Sequence, residues 1–345
     1  MVPTPPAMST LPPVSAIMPV KDDAQALPAA VASLLAQRYD GALELVIGVG
    51  PSADDTEAVA AALAGADERV TVVPNRSGGT AAGLNAALAA ANGEVIVRID
   101  AHCELPPDYV STAVATLQRT NAGNVGGIQQ AVGITAYQQA VAAAMTSRFG
   151  VGDAKFHYGG TEGPVDTVYL GVFRAEALHD VGGFDETLRR NQDYQLNWRL
   201  REAGQLVWFD PNLVVRYQPR STLGGLASQY FQYGQWKQEM LRRHPKSLRA
   251  RQVVAPLTVI GVTAGLVGVA TGRRWMGAAP AVYATAVTVA AAAAGRSMPE
   301  RLRLLHVFPT MHMSWGLGFL RGAPAQSTEG APSADAEGPD WRGRD

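Results

Sequence analysis

Four short apolar runs separated by helical patterns, all before residue 100, constrain this chain more than any other feature. Residues 14–18, 43–49, 70–73 and 94–99 read as strands, and residues 24–37, 56–64 and 81–91 as helices. Alternation of this kind argues for an α/β fold, a mostly parallel sheet with helices on both faces. Ligands of such sheets sit beyond the carboxyl ends of the strands. The loops that begin at Pro19, Gly50, Pro74 and Asp100 are therefore the places to look for chemistry.

The chain changes character near residue 250. Residues 253–272 and 276–295 are apolar and uncharged, each about 20 residues long, the length that spans a bilayer core. Arg242, Arg243, Lys246, Arg249 and Arg251 precede them, Arg296, Arg301 and Arg303 follow, and only Arg273 and Arg274 lie between. This bias predicts a membrane hairpin with both outer flanks, and so the catalytic part, in the cytoplasm. The second stretch is mostly Ala, and the competing interpretation is a buried helical hairpin of a soluble protein. Residues 304–320 contain His306, Pro309 and His312 and read as a re-entrant or interfacial segment. The Pro-rich residues 1–13 read as a disordered lead-in. Residues 322–345 hold too few large apolar side chains to offset ordering entropy and read as a disordered tail.

Charge and cysteine usage exclude several classes. With 29 basic and 30 acidic residues among 345, the net charge of -1 argues against a nucleic-acid binder. Cys103 is the only cysteine, so neither an internal disulfide nor a Cys-rich zinc framework can form. A lone reduced cysteine fits a cytoplasmic location.

Three segments carry candidate chemistry. The strand 94–99 delivers Asp100, Ala101, His102, Cys103 and Glu104 into a loop. Asp100 and His102 offer a carboxylate oxygen and an imidazole nitrogen, donors that suit a divalent ion such as Mn²⁺. The plain alternative is that Asp100 caps the helix after Pro106 and Pro107. Asp193 falls in the first turn of a helix marked by Leu196 and Leu200, where the helix dipole favours a carboxylate. It is either a cap or a general base that takes a proton from an attacking hydroxyl. Residues 230–237 form an aromatic and amide cluster, either an interfacial anchor or an acceptor site lined by Gln232, Gln235 and Trp236. Residues 75–85 hold Gly78, Gly79 and Gly83, but they match neither a Walker loop nor the dinucleotide fingerprint.

In order and spacing, these segments resemble family 2 glycosyltransferases of the GT-A fold, in particular the membrane-associated enzymes of the succinoglycan and exopolysaccharide type. The likeness covers about residues 14–250 and more loosely continues to about 321. Pro19-Val20-Lys21-Asp22-Asp23 resembles the family's first nucleotide loop, with Asp at both polar positions. Gly50 to Thr56, with Asp54, resembles its second; Val49 and Gly50 stand where the family has aspartates. Asp100-Ala101-His102 stands at the family's Asp-x-Asp, with His102 in place of the second Asp. Gly182 to Glu186 matches Gly-Gly-Phe-Asp-Glu, and Gln192-Asp193 sits at the Glu-Asp pair, which makes Asp193 the counterpart of the base. Gln232 to Trp236 resembles Gln-x-x-Arg-Trp, with Gln235 in place of Arg.

The resemblance implies an inverting glycosyltransferase. Its donor would be a nucleoside-diphosphate sugar, UDP-linked by expectation, and its acceptor a lipid-linked or growing saccharide in cell-surface or exopolysaccharide synthesis. Asp193 would be the catalytic base, and Asp100 with His102 would hold Mn²⁺ or Mg²⁺. Pro19, Val20, Asp22, Asp23, Gly50, Asp54, Gly83, Asn85, Asp100 and Ala101 would bind the nucleotide sugar. Gly171, Gln192, Gln232, Gln235 and Trp236 would serve the acceptor. The expected division is a GT-A domain at 14–222, an interfacial helix with a basic segment at 223–251, and membrane segments at 252–321. Two rivals remain: a non-catalytic membrane-bound scaffold with the same fold, motivated by the departures at positions 49, 50, 102, 192 and 235, and a nucleotidyltransferase.

Overall fold

A computed structural model describes residues 11–324. The two expected disordered segments lie almost wholly outside that range. The described chain forms two compact units. The first comprises the chain to Ile128 and Gly160–Val215; the second comprises Gln129–Gly159 and the chain from Arg216. Compactness thus groups 129–159 with the C-terminal helices, a division that a linear boundary at residue 222 does not express.

The elements follow in chain order. β1 (Val14–Val20), α1 (Leu27–Leu35), β2 (Leu43–Val49), α2 (Thr56–Ala66), β3 (Val70–Pro74), α3 (Thr80–Ala90), β4 (Val95–Arg98) and α4 (Tyr109–Thr120) come first. β5 (Asn124–Ala131), α5 (Ala136–Met145), α6 (Arg148–Val151), α7 (Lys155–Tyr158), β6 (Gly163–Pro164), β7 (Tyr169–Arg174), α8 (Ala175–Asp180), α9 (Gln192–Glu202) and β8 (Val207–Tyr217) follow. Four longer helices end the described residues: α10 (Leu223–Arg243), α11 (Arg251–Ala270), α12 (Ala278–Ala294) and α13 (Met298–Arg321).

The first unit is built on a sheet of order β3-β2-β1-β4-β7-β5-β8-β6. Its first four strands are parallel, as the alternation predicts: Ile17 of β1 lies beside Val46 of β2 and Arg98 of β4. β7 is antiparallel to both β4 and β5, and β6 to β8. Ala16, Ile17 and Met18 in the central strand are fully buried, so helices must cover both faces. α4 does so with Val110, Ala113, Val114 and Leu117, the i, i+3, i+4, i+7 stripe of an amphipathic helix. α3 lies so close to β2 that a Cβ on Gly48 would sit 3.0 Å from the Cα of Gly83. That approach sets the helix directly behind the first two loops.

In the second unit, α5 begins with a capping box. Gln138 N donates to Thr135 Oγ1 at 3.2 Å, and Thr135 N donates to Gln138 Oε1 at 3.0 Å. Its Ala140, Val141 and Ala144 share an apolar cluster with Leu304, Val307, Phe308 and Met311 of α13. α13 is one continuous helix with Pro309 inside it, so a re-entrant break is not formed. Small residues let it approach its neighbours. A Cβ on Gly318 would lie 2.8 Å from the carbonyl carbon of Phe231 in α10, and one on Gly316 would lie 2.7 Å from the carbonyl oxygen of Ala255 in α11.

α11 and the stretch that ends with α12 are long and apolar enough to cross a membrane. Leu257 and Val267 of α11 and Val282 and Val289 of α12 are each about 60% exposed or more. A buried soluble hairpin, the competing interpretation, would hide them.

His157 of α7 is half-buried, with Nδ1 shielded from solvent and without a hydrogen-bond partner. Burial, reinforced by the Arg251 charge, pushes its pKa from 6.5 down to about 3. The unfolded state therefore binds the extra proton first. Stability from this group is full above pH 6.5 and declines as pH falls through the window to about 3. His157→Phe should flatten that acid limb, with wild type losing on the order of 2 kcal/mol relative to the variant between pH 7 and 5. Melting curves of the two proteins across that range check it; parallel curves would refute it.

Candidate active site

β4 sets the geometry. Residues two apart on a strand face the same side, and this places Arg98 and Asp100 together at the carboxyl edge of the sheet. Arg98 Nη2 donates to Asp100 Oδ1 at 3.1 Å. Asp100 is not the cap of the following helix: the residue at the N-cap of α4 is Asp108.

Beyond Asp100 the chain turns, with Cys103 N donating to the carbonyl of Asp100 at 3.0 Å. Ligand atoms of Asp100, His102 and Cys103 come within 4.8 Å of one another. The three are not equal donors. Burial, with a smaller contribution from the Asp100 charge, pushes the Cys103 thiol up to about 12, so it stays protonated and offers little to a hard cation. Asp100 and the exposed His102 remain, and His102 Nδ1 lies 3.8 Å from Asp23 Oδ2. The Asp23 carboxyl is raised by burial, against the opposing effect of His102. A carboxylate and an imidazole at a solvent-accessible loop fit a divalent ion such as Mn²⁺.

The loops after β1 and β2 are latched to each other. Asp22, in the left-handed region at φ 54°, receives a hydrogen bond from Ala53 N at 2.6 Å and donates its own N–H to Ser52 Oγ at 3.1 Å. Asp54 accepts from Ala24 N at 3.0 Å and from the Thr56 hydroxyl at 2.5 Å, bonds that hold its carboxyl below the usual range. Asp23 N donates to Thr56 Oγ1 at 2.9 Å. The carboxylates of Asp22 and Asp54 thus shape the loop, and Asp23 is the acid of this segment turned toward His102. Pro19 and Val20 close β1, and Gly50, buried at the end of β2, donates its N–H to Val20 O at 2.9 Å. Ala101 is buried beneath the Asp100 loop.

α9 supplies the second carboxylate. Asp193 lies in its first turn, behind Asn191, which takes a left-handed conformation at φ 63°. Its half-exposed side chain forms an ion pair with Nη1 of Arg98. Gln192, half-buried, opens the helix. The preceding turn is clamped from two sides. Asn85 of α3 accepts from Phe184 N and donates to the Phe184 carbonyl and Glu186, each at 2.8 Å. Arg199 of α9 donates to the carbonyls of Val181 and Gly183. Gly182 and Gly183 adopt φ of 75° and 69°, which only glycine takes without strain.

The candidate residues separate by position. Asp22, Asp23, Asp54, Asp100 and His102 lie on loops of the first unit, and Gln192 and Asp193 open α9 in the same unit. Gly83 and Asn85 are engaged by the protein itself, Gly83 under Asn75 and Pro19 and Asn85 on the 184–186 turn. Gly171 is buried in β7, where a Cβ would meet Asn124 Oδ1 at 2.5 Å. Gln232, Gln235 and Trp236 lie on α10 in the second unit. There Gln235 and Trp236 are buried, and Gln235 Nε2 donates to the Gly322 carbonyl at 2.9 Å. Arg98 and Arg199 were not among the sequence candidates. Arg98 carries a signal that is legible afterwards: it is the lone charge in an apolar strand, and a buried charge requires a partner.

Comparison with known proteins bears on the family and the fold. A family model described as glycosyl transferase family 2 matches residues 15–182. The succinoglycan biosynthesis protein ExoA of Rhizobium meliloti (strain 1021) is 32% identical over 282 residues, 80% of this chain and 84% of that protein. A Methanococcus voltae protein is 24% identical over 182 residues, 51% of this chain and 56% of its own length. It is named dolichyl N-acetyl-alpha-D-glucosaminyl phosphate 3-beta-D-2,3-diacetamido-2,3-dideoxy-beta-D-glucuronosyltransferase. Among solved structures, a mannosyltransferase from Pyrobaculum calidifontis in complex with GDP-Man and Mn²⁺ superposes with a TM-score of 0.60 at 20% identity, over 91% of this chain and 87% of that one. At that identity the likeness establishes the GT-A-like fold.

Proposed function

The chain belongs to glycosyl transferase family 2 and is a glycosyltransferase, and from that premise we propose an inverting enzyme of cell-surface or exopolysaccharide synthesis that acts at a membrane. The donor is a nucleoside-diphosphate sugar, UDP-linked by expectation, and the acceptor a lipid-linked or growing saccharide. One observation carries the reading: Asp193 and Asp100 converge on the same guanidinium at the carboxyl edge of the parallel strands. A base and a diphosphate-binding carboxylate need that proximity, because one acts on the incoming oxygen and the other beside the leaving group.

In this mechanism Asp193 accepts the proton of the acceptor hydroxyl as its oxygen bonds to the anomeric carbon. The bond from that carbon to the diphosphate breaks on the opposite side, so the configuration inverts. Asp100 and His102 would hold a divalent cation, whose charge offsets that of the departing diphosphate. Asp23 faces the same loop and joins the nucleotide site. The names of the Rhizobium and Methanococcus relatives, which concern succinoglycan and a dolichyl-linked saccharide, support the acceptor class. The exposed apolar helices α11 and α12 and their basic flanks support a cytoplasmic catalytic part at 14–222 and membrane segments at 252–321. On the interfacial helix, half-buried Gln232 would serve the acceptor, whereas Gln235 and Trp236 are buried within the second unit.

Thermal shift on the detergent-solubilised full chain tests the donor site, with UDP and GDP each offered with and without Mn²⁺. A ligand at 100 times its Kd stabilises by about 2.7 kcal/mol, a rise of a few degrees. The expected result is a metal-dependent rise with UDP. A rise with GDP alone would reassign the donor, and none with either in folded protein would refute the reading.

A further inference from the structure

We propose that Arg98 is a positioning residue that yokes the Asp193 carboxylate to the Asp100 loop, fixing base and diphosphate site in one geometry before the acceptor arrives. The inference rests on the reading of Asp193 as the base.

Arg98 ends β4 after Val95, Ile96 and Val97, and its side chain is only 8% exposed. A guanidinium stays charged at every working pH, and burying it without partners is costly. Its partners here are two carboxylates on separate elements: Asp100 on the strand-end loop and Asp193 on α9. The two amino groups of a guanidinium diverge at a fixed angle in one plane. A single rigid group therefore sets the spacing of the two carboxylates, where two independent side chains would leave it loose. Its single positive charge lies between the two acids and weakens their mutual repulsion.

The remaining donors of the guanidinium are informative. Arg98 Nε and Nη1 are both buried without a hydrogen-bond partner, so Nη1 meets Asp193 as an ion pair alone. Arg174, on the neighbouring β7, shows what a structural arginine does: its Nε donates to the Ala122 carbonyl at 3.1 Å and its Nη2 to the Leu117 carbonyl at 3.0 Å. Arg98 leaves two nitrogens without hydrogen bonds while both ends of its fork pair with the two carboxylates. Orphaned buried polar atoms of this kind call for an explanation, and the yoke provides one. The turn before α9 is independently clamped by Asn85 and Arg199. Loss of Arg98 should therefore free the Asp193 side chain without releasing the helix.

The test uses full-length Arg98→Lys and Arg98→Gln. Lysine keeps the charge but has no fork; glutamine loses the charge. A misplacement of about 1 Å can lower a rate about 10²-fold. For Arg98→Lys we expect kcat to fall about 10²-fold, with the melting temperature retained and the Kd for UDP with Mn²⁺, read by calorimetry, within about threefold of wild type. Arg98→Gln should lose more. A merely structural role would move melting and binding along with kcat, and failure of both variants to fold would overturn the proposal. Unchanged kcat would overturn it, and so would weakened nucleotide binding with kcat intact, which would assign Arg98 to Asp100 alone. Asp193→Asn separates the two levels. If Asp193→Asn is inactive while Arg98→Lys is fully active, only the yoke fails. If Asp193→Asn turns over normally, the base reading itself fails.

Discussion

Asp193→Asn is expected to lower sugar transfer by about 10²- to 10⁴-fold, the span that general-base catalysis contributes, while the Kd for UDP with Mn²⁺ stays within a few-fold. Asparagine has the same shape and still presents an oxygen to Arg98, while proton acceptance is lost. The proposed nucleotide site, Asp23, Asp100 and His102, is left unchanged by the substitution. Transfer of labelled sugar to the acceptor, beside calorimetry on the same preparation, separates the two quantities. Turnover within a few-fold of wild type would remove Asp193 from the chemistry. Loss of both turnover and binding would mean that the carboxylate supports the loop and not the reaction.

The second large effect concerns the helices. Gly318→Leu should destabilise the second unit by more than the 1–3 kcal/mol typical of overpacking. The first added carbon already meets the backbone of Phe231, and backbone cannot rotate out of the way as a side chain can. α13 would have to move off α10, taking with it Leu304, Val307, Phe308 and Met311, all fully buried. Melting in detergent should show a fall of many degrees, and Gly318→Ala a smaller fall of the same sign. A Gly318→Leu protein that melts like wild type would mean that the helices are not held at this distance.

What the sequence revealed follows the range over which each signal acts. The parallel strands were legible because they are short, mostly apolar runs, a local property; β2 spans Leu43–Val49 as read. α1 starts later than its pattern, at Leu27, because residues 22–24 are held by Ser52, Asp54 and Thr56 from the neighbouring loop. No pattern within residues 24–37 encodes that latch. β7 and β5 were missed because their ladder is irregular, with a register shift between Val125 and Gly127. At the site, order and spacing pointed to Asp100, His102 and Asp193, whose types announce chemistry. Gly83 and Asn85 looked like ligand contacts, yet close packing and turn clamping select the same residue types. Arg98 stayed invisible because its partners are 2 and 95 residues away, and only the fold brings the farther one to it.

The second unit is discontinuous, and this has a consequence for how the protein is made. The apolar face of α5 packs against Leu304 to Met311 of α13. When α5 leaves the ribosome, that partner has not been synthesised. At ordinary translation speeds the delay is on the order of ten seconds, long enough for Ala140, Val141 and Met145 to meet other apolar surfaces. The nascent chain during that interval is the species most exposed to aggregation, and a chaperone or the membrane surface that shields α5 would raise the yield of enzyme without altering the finished fold.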